Sequence, residues 1–310
     1  MSPKKSDGKP ESKSDGNPEP ADVIAERKAA IREALSDLAV LAEEAGMRST
    51  ARDIREERLP KLDEERFSLV VLGEFNHGKS TFINALLGKP ILPTGITPTT
   101  AVLSHLRHGN KLGAELVFDS GERKPLAAEA LADWLTVEGQ SKRAAAQMGM
   151  SGKADDPLAY VEITVPAPFL KNGVTVVDTP GVNDINEQRA DITYGYIPRA
   201  DAAVFLLDAN QILTASERQF LEERILRSSR DRLVFVVTKA DVLEGPELEQ
   251  AMAFARQHLT PIVPEAPLFA VSAKRALAGD AEGGRMQPLL SHLQLTLGAE
   301  RRRLIHDHAL

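Results

Sequence analysis

Four short segments of this chain carry residue types whose spacing suits phosphate and purine chemistry. The first is GEFNHGKS, Gly73 to Ser80, followed by Thr81. It stands directly after the apolar run SLVVLG and before a helical pattern, the setting that a Walker A loop requires. Gly73 and Gly78 let the backbone wrap a phosphate, so that Glu74, Phe75, Asn76, His77 and Gly78 present successive N–H groups at a helix N-terminus whose dipole favours negative charge. Lys79 would then reach the β- and γ-phosphates, and the Ser80 hydroxyl would bind Mg²⁺. The second segment is DTPG, Asp178 to Gly181, at the end of another apolar strand. Asp178 would hold Mg²⁺ through water, and the Gly181 N–H would reach a γ-phosphate, so this turn would differ between triphosphate and diphosphate states. The third is TKAD, Thr238 to Asp241. A carboxylate at Asp241 accepts two N–H bonds from guanine, whereas adenine would leave it unpaired. The aliphatic stem of Lys239 would pack along the base. The fourth is VSAK at 271–274, where Ser272 precedes an Ala273 backbone N–H suited to the guanine carbonyl oxygen. The first segment is specific by itself; DxxG and SAK gain meaning only from their order after it.

Each segment needs a strand to deliver it. SLVVLG (68–73), VTVVDT (174–179), DAAVFLLDA (201–209), RLVFVVTK (232–239) and PLFAVSA (267–273) are short, branched-aliphatic and nearly continuous in apolarity, as strands buried on both faces are. Helical patterns lie between them at 79–87, 214–226 and 246–257. The expected fold is therefore α/β, with a mostly parallel sheet and helices on both faces. Residues 104–165 read as an enlarged insertion, with two strands around Gly113, a helix over 127–136, a mobile stretch over 139–156 and a strand at 158–165.

Flanking segments differ in texture. Residues 1–20 combine Pro, Gly, Ser and charged residues with little to bury, which predicts a disordered tail. Ile31, Leu35, Leu38, Ala42 and Ala45 then mark an amphipathic helix that Gly46 interrupts, with a second helical piece running to about Leu59. From Met286, Leu290, Leu293, Leu297 and Leu304 predict a closing helix. The sequence reaches Leu310 without a helix-stop signal, which reads as the front part of a longer protein.

Composition narrows the function. The 38 Lys and Arg against 45 Asp and Glu give a net charge of −7, which argues against a broad basic nucleic-acid footprint. With no cysteine, disulfide frameworks, thiolate metal sites and cysteine nucleophiles are excluded, and a reducing, cytoplasmic setting fits. Among the histidines, His306 and His308 flank Asp307 but point apart on a helix, and read as solvated surface. Arg301 to Arg303 read as a solvated face, and Trp134 as a packing residue.

Taken together, GEFNHGKSTFINALLG, LPTGITPTTAV, VTVVDTPGVND, TKAD and YIPRADAAVFLLDANQILTASE resemble dynamin-like large GTPases, particularly the bacterial dynamin-like proteins, over about residues 60–275. Era-like small GTPases share GKST, DTPG and a terminal SA. Asp178 nevertheless lies 98 positions after Ser80, a distance that suits the enlarged dynamin-type G domain. The resemblance implies a Mg²⁺-dependent GTPase in which residues 21–59 and 276–310 form neck helices. One switch I threonine, among Thr97, Thr99 and Thr100 and with Thr100 favoured, would complete the metal ligands Ser80 and Asp178. Lys79, Thr100, Gly181 and His77 are the expected catalytic group. The resemblance further implies self-association through G domains, membrane remodelling, and a cytoplasmic location that includes the inner face of the membrane. This chain departs from the pattern at three places. Phe75 and Asn76 replace a polar pair common in dynamins, Val182 stands after Gly181 where Ras-type enzymes carry Gln, and Thr238 stands where many GTPases carry Asn. The charge needed for hydrolysis would then come from G-domain pairing, with His77 or a monovalent cation near the phosphates; a plain exposed loop histidine is the competing reading. Two alternatives for the whole chain are an Era-like ribosome-assembly GTPase and a weakly hydrolysing, GTP-gated binding module.

Overall fold

The computed structural model describes residues 21–47, 50–51, 54–59, 62, 67–95, 102–118, 120–139, 158–181, 193, 196–225 and 232–306. The expected tail at 1–20, most of the expected mobile stretch, and Thr97, Thr99 and Thr100 lie outside the described residues. The chain divides into two compact units, residues 1–62 with 304–310 and residues 63–303.

In the first unit, α1 spans Ala21–Glu44. It closes at Gly46, with Met47 N donating to Ala42 O at 2.8 Å and Gly46 N to Glu43 O at 3.0 Å, a pairing that satisfies the last carbonyls of the helix. A π-helical turn, Ile54–Arg58, follows and lies against α1. The expected apolar stripe changes at Leu38: Ala42 is buried as expected, but Ala39 is buried in place of Leu38, which is 49% exposed. The reason is that Leu35, Ala39 and Ala42 keep the helical spacing of four and three equally well, and only packing chooses between the two registers.

In the second unit the elements run β1 (Phe67–Leu72), α2 (Lys79–Leu87), β2 (Ser104–His108), β3 (Gly113–Phe118), β4 (Arg123–Leu126), α3 (Leu131–Leu135), β5 (Leu158–Val165), β6 (Val174–Asp178), β7 (Ala202–Asp208), α4 (Ala215–Phe220), β8 (Leu233–Thr238), α5 (Gly245–Leu259), β9 (Leu268–Ala270), α6 (Ala273–Leu277), α7 (Ala281–Gly284) and α8 (Met286–His306). The nine strands form one sheet in the order β4-β3-β5-β2-β6-β1-β7-β8-β9. From β6 to β9 every pairing is parallel. β2 joins that block antiparallel to β6, and β3 runs antiparallel to both β4 and β5. Residues 104–165 therefore extend the sheet itself.

All residues of β1, β6, β7 and β8 are buried. One set of alternating positions, including Val70, Leu72, Phe205, Leu207, Phe235 and Val237, packs with Phe220, Leu221, Ile225, Ala255 and Leu259 from α4, the turn after it and α5. The other set, Leu69, Val71, Leu206 and Val236, is equally buried, so both faces are covered, and α2 lies against β1 and β6. Each large side chain buried in this way contributes about 1.5–3 kcal/mol. Asp201 completes the block at its start, its carboxylate accepting from Ser68 N at 2.8 Å and from Ser68 Oγ at 3.0 Å.

Three local expectations change. β9 is only three residues long, because Val271 leaves the ladder after one bond to Val237 O and Ser272 caps α6. β4 was not expected from RKPL; as the outermost strand it tolerates charge and Pro125. α8 buries Met286, Leu289, Leu293 and Leu297, with Leu289 taking the place expected of Leu290. Gly298 does not interrupt it. Among the described residues no helix is long and apolar enough to cross a membrane.

Candidate functional site

Parallel strands present their carboxyl ends along one edge of the sheet, and loops that leave that edge can converge. Here β1, β6, β8 and β9 each end in one of the four segments read from the sequence. Register aligns them: Val71 pairs with Asp178, Asp208 with Thr238, and Val237 with Ala270.

After β1 the chain forms the loop 73–78 and enters α2 at Lys79, with Phe82 N bonding Gly78 O at 2.7 Å. Asn76 and Gly78 both have positive φ, 63° and 78°, which bends the loop sharply back on itself. Lys79 is buried, and its Nζ donates to Gly73 O and Glu74 O, each at 3.0 Å, so it lies back over its own loop. Phe75 is 41% exposed. Ser80 is buried and Thr81 half-buried on the first turn of α2.

Ser80 Oγ donates to Asp178 Oδ2 at 3.3 Å, bringing the first two segments together. A hydroxyl and a carboxylate facing each other form a hard-oxygen donor set of the kind that suits Mg²⁺. Thr179 Oγ1 donates to Val71 O at 2.9 Å, which ties the DTPG turn to β1. Gly181 passes close to the loop: a Cβ there would meet Phe75 N at 3.1 Å and Phe75 Cα at 3.3 Å. Both are backbone atoms, so any larger residue at 181 would push the two segments apart.

The third segment is joined to the first by Thr238. Its hydroxyl lies 2.9 Å from His77 O and 3.1 Å from Leu207 O and can donate its proton to either. Lys239 has φ 57°, and its Nζ bonds Asp208 Oδ2 at 2.5 Å. Asp208 Oδ1 accepts from Asn210 N and Asn210 Nδ2, each at 2.9 Å. Burial by itself would raise the Asp208 carboxyl, but the bonds from Lys239 and Asn210 and the Lys239 charge outweigh it and hold the group below its ordinary value. The fourth segment meets the third through Ser272 Oγ, which donates to Asp241 Oδ1 at 2.6 Å and accepts from Arg275 N at 3.2 Å as the cap of α6. Ala240 N bonds Val271 O at 3.0 Å, and Ala273 is the buried first residue of α6.

His77 is 8% exposed, which removes the reading of an exposed loop histidine. Its Nδ1 lies 3.4 Å from Leu206 O and 3.1 Å from Glu217 Oε1 of α4. Asp208, Thr214, Ser216 and Glu217 contact the motif residues, with Asn210 bonded to Asp208, and sequence reasoning did not single them out. A signal for two of them was present: Thr214-x-x-Glu217 is a capping box, and both of its reciprocal bonds form.

Residues 69–240, more than half of the chain, match the model of the dynamin family. An uncharacterised protein from the xynA 3′ region of Caldicellulosiruptor sp. (strain Rt8B.4) is 34% identical over 71% of this chain and 52% of its own length. The bacterial dynamin-like protein of Nostoc punctiforme is 33% identical over 63% of this chain and 28% of its own. This chain thus spans about half or less of the length of these relatives. A solved bacterial dynamin, from an oligomerised pair described as sensing and tethering membranes over long range, superposes with a TM-score of 0.57 over 93% of this chain and 46% of that one. At 21% identity that likeness shows the fold. The family match favours the dynamin-like over the Era-like reading of the sequence. The chain belongs to the dynamin family and carries its GTPase domain.

Proposed function

We propose that this chain binds GTP at the carboxyl edge of β6-β1-β7-β8-β9 and hydrolyses it. The observation that carries the reading is the convergence of the four segments: Ser80 bonds Asp178, Gly181 abuts Phe75, Thr238 reaches the His77 carbonyl, and Ser272 bonds Asp241. Lys79 neutralises phosphate charge, the loop N–H groups at the start of α2 orient the phosphates, and Gly181 reports on the γ-phosphate. Asp241 reads the guanine N–H edge, with Ser272 fixing its carboxylate and the Asp208–Lys239 pair fixing the lysine stem beside the base. Ser80 and Asp178 suit Mg²⁺, with Thr100 as the favoured third ligand; the ion supplies charge to the triphosphate. His77 is engaged by Glu217, so charge for the transition state comes from elsewhere, and pairing of two G domains remains the best source.

The solved bacterial dynamin pair, described as oligomerised and as tethering membranes, supports self-association and action at a membrane surface; the inner face as its location and α1 and α8 as parts of a neck belong to the same proposal. Phosphate release measured across protein concentrations tests the enzyme reading: turnover per molecule should rise with concentration. A flat and very low rate with intact GTP binding would favour the second reading, a GTP-gated binding module, which the apolar, half-exposed Phe75 and the left-handed Asn76 in the loop recommend.

A further inference from the structure

The loop 73–78 is held by more than its own strand and helix. Asn76 sits in the left-handed region, which asparagine adopts more readily than other non-glycine residues. The residues on either side of Phe75 and Asn76 are held from the first turn of α4. Ser216 Oγ donates to Glu74 Oε1 at 2.5 Å, and Thr214 Oγ1 lies 3.4 Å from the same oxygen. Glu217, with no exposed side-chain surface, accepts from Thr214 N through Oε2 at 2.7 Å and presents Oε1 to His77 Nδ1 at 3.1 Å. That last contact is short but not in line with the N–H, which points instead to Leu206 O at 3.4 Å. It is therefore a close polar contact rather than an aligned hydrogen bond, with the Glu217 carboxylate against the edge of the His77 ring. Both groups facing Nδ1 are acceptors, so the ring proton belongs on Nδ1. The other ring nitrogen, Nε2, faces Glu74 Oε2 at 4.0 Å. The two residues flanking Phe75 and Asn76 are thus gripped by one helical turn, in addition to the bond from Thr238 to the His77 carbonyl.

We infer that the first turn of α4 is a clamp on the phosphate loop, in which Glu217 acting through His77 and Ser216 acting through Glu74 are positioning residues for nucleotide binding. Neither Glu217 nor Ser216 touches nucleotide; they act by holding the loop in its bent form, so that its N–H groups stand ready for the phosphates. A buried carboxylate serves this purpose because it stays in the interior only when paired, and so resists withdrawal of the turn. The inference rests on the guanine-nucleotide reading above, and its test separates the two.

The test uses the full chain with fluorescent GDP and GTP, comparing wild type, Glu217→Gln, His77→Ala and the double variant, with thermal melting as a fold control. Glu217→Gln keeps an acceptor for Thr214 N, so the helix cap survives. The clamp predicts that each single variant binds about tenfold more weakly, that KM rises while kcat changes little, and that the double variant is no weaker than the weaker single, the signature of residues acting through one another. Nitrogen-15 spectra of the ring should show the Nδ1–H form in the wild type and a displaced signal in Glu217→Gln. A role confined to the helix cap, which Glu217→Gln preserves, would leave that variant's affinity and the ring signal at their wild-type values, whereas two independent roles would make the losses multiply; either result overturns the inference. If Glu217→Gln melts at assay temperature, Ser216→Ala with Glu74→Gln carries the same cycle with the buried carboxylate intact. Wild-type affinity in Ser216→Ala would then overturn the clamp. Wild type that binds no guanine nucleotide overturns the underlying reading and the clamp with it; wild type that binds normally beside unaffected variants overturns the clamp alone.

Discussion

The block β6-β1-β7-β8-β9 and the extension β4-β3-β5-β2 share one sheet yet obey different rules. In the block the strands run parallel and β1, β6, β7 and β8 are buried along their whole length. In the extension burial is uneven: β5 alternates, with Val161, Ile163 and Val165 fully buried and half-buried residues between them, among them Glu162, which meets Arg107 at 2.8 Å and Arg123 at 2.5 Å beside Glu115. The block holds all four motif segments at its carboxyl edge, and the extension holds none of the described ones. Sheet covered on both faces is rigid enough to fix loop geometry, while the less fully covered extension adds area and admits ion pairs among its side chains.

That comparison can be broken by substitution. The largest effect belongs at the edge of the block: Lys79→Ala should weaken GTP binding and turnover by about a hundredfold or more, read by fluorescent-nucleotide titration and phosphate release. Asp241→Asn should lower the preference for guanine by about tenfold or more and improve xanthine, whose added carbonyl suits an amide donor, as read by competition between the two nucleotides. Inside the block, Phe205→Ala should cost about 3–5 kcal/mol in denaturant unfolding, because the ring is fully buried between Phe220 and Phe235 at 6.0 and 5.9 Å. Across the sheet, Arg123→Ala should cost less than about 1 kcal/mol and lose even that at high salt, since its pairs are half-exposed. An Arg123→Ala effect as large as that of Phe205→Ala would erase the distinction between the halves.

The smallest effect is in pH. Because the Asp208 carboxyl is held low in the fold, its contribution is complete above its unfolded value and fades as pH falls below about 4. Asp208→Asn should therefore melt below wild type near neutrality, and the gap should close on acidification. A gap that widens on acidification would contradict the Lys239 pairing.

The same contrast explains what could be read from the sequence. The parallel strands were legible because burial on both faces leaves near-continuous aliphatic runs, and the motif segments followed because each is short and local. β4 was illegible because an outer strand of Arg, Lys, Pro and Leu carries no apolar period, although Gly121 with φ 86° marks the hairpin before it. In α1 and α8 one expected position each moved by a residue, Leu38 to Ala39 and Leu290 to Leu289, since helical spacing alone does not choose between adjacent positions. The contacts of Glu217 and Ser216 with the loop were out of reach for a different reason: they join residues about 140 positions apart, and only the fold brings them together. Thr97, Thr99 and Thr100 lie outside the described residues, so the choice of Thr100 stands as proposed.

The most direct measurement is calorimetric titration of the purified chain, in Mg²⁺, with GTP and with ATP, alongside the Lys79→Ala variant. The account predicts saturable GTP binding, at least a hundredfold weaker ATP binding and loss of both in Lys79→Ala, on the principle that a buried acceptor left unpaired rejects the wrong base. Equal affinity for the two nucleotides, or GTP binding that survives in Lys79→Ala, would contradict it.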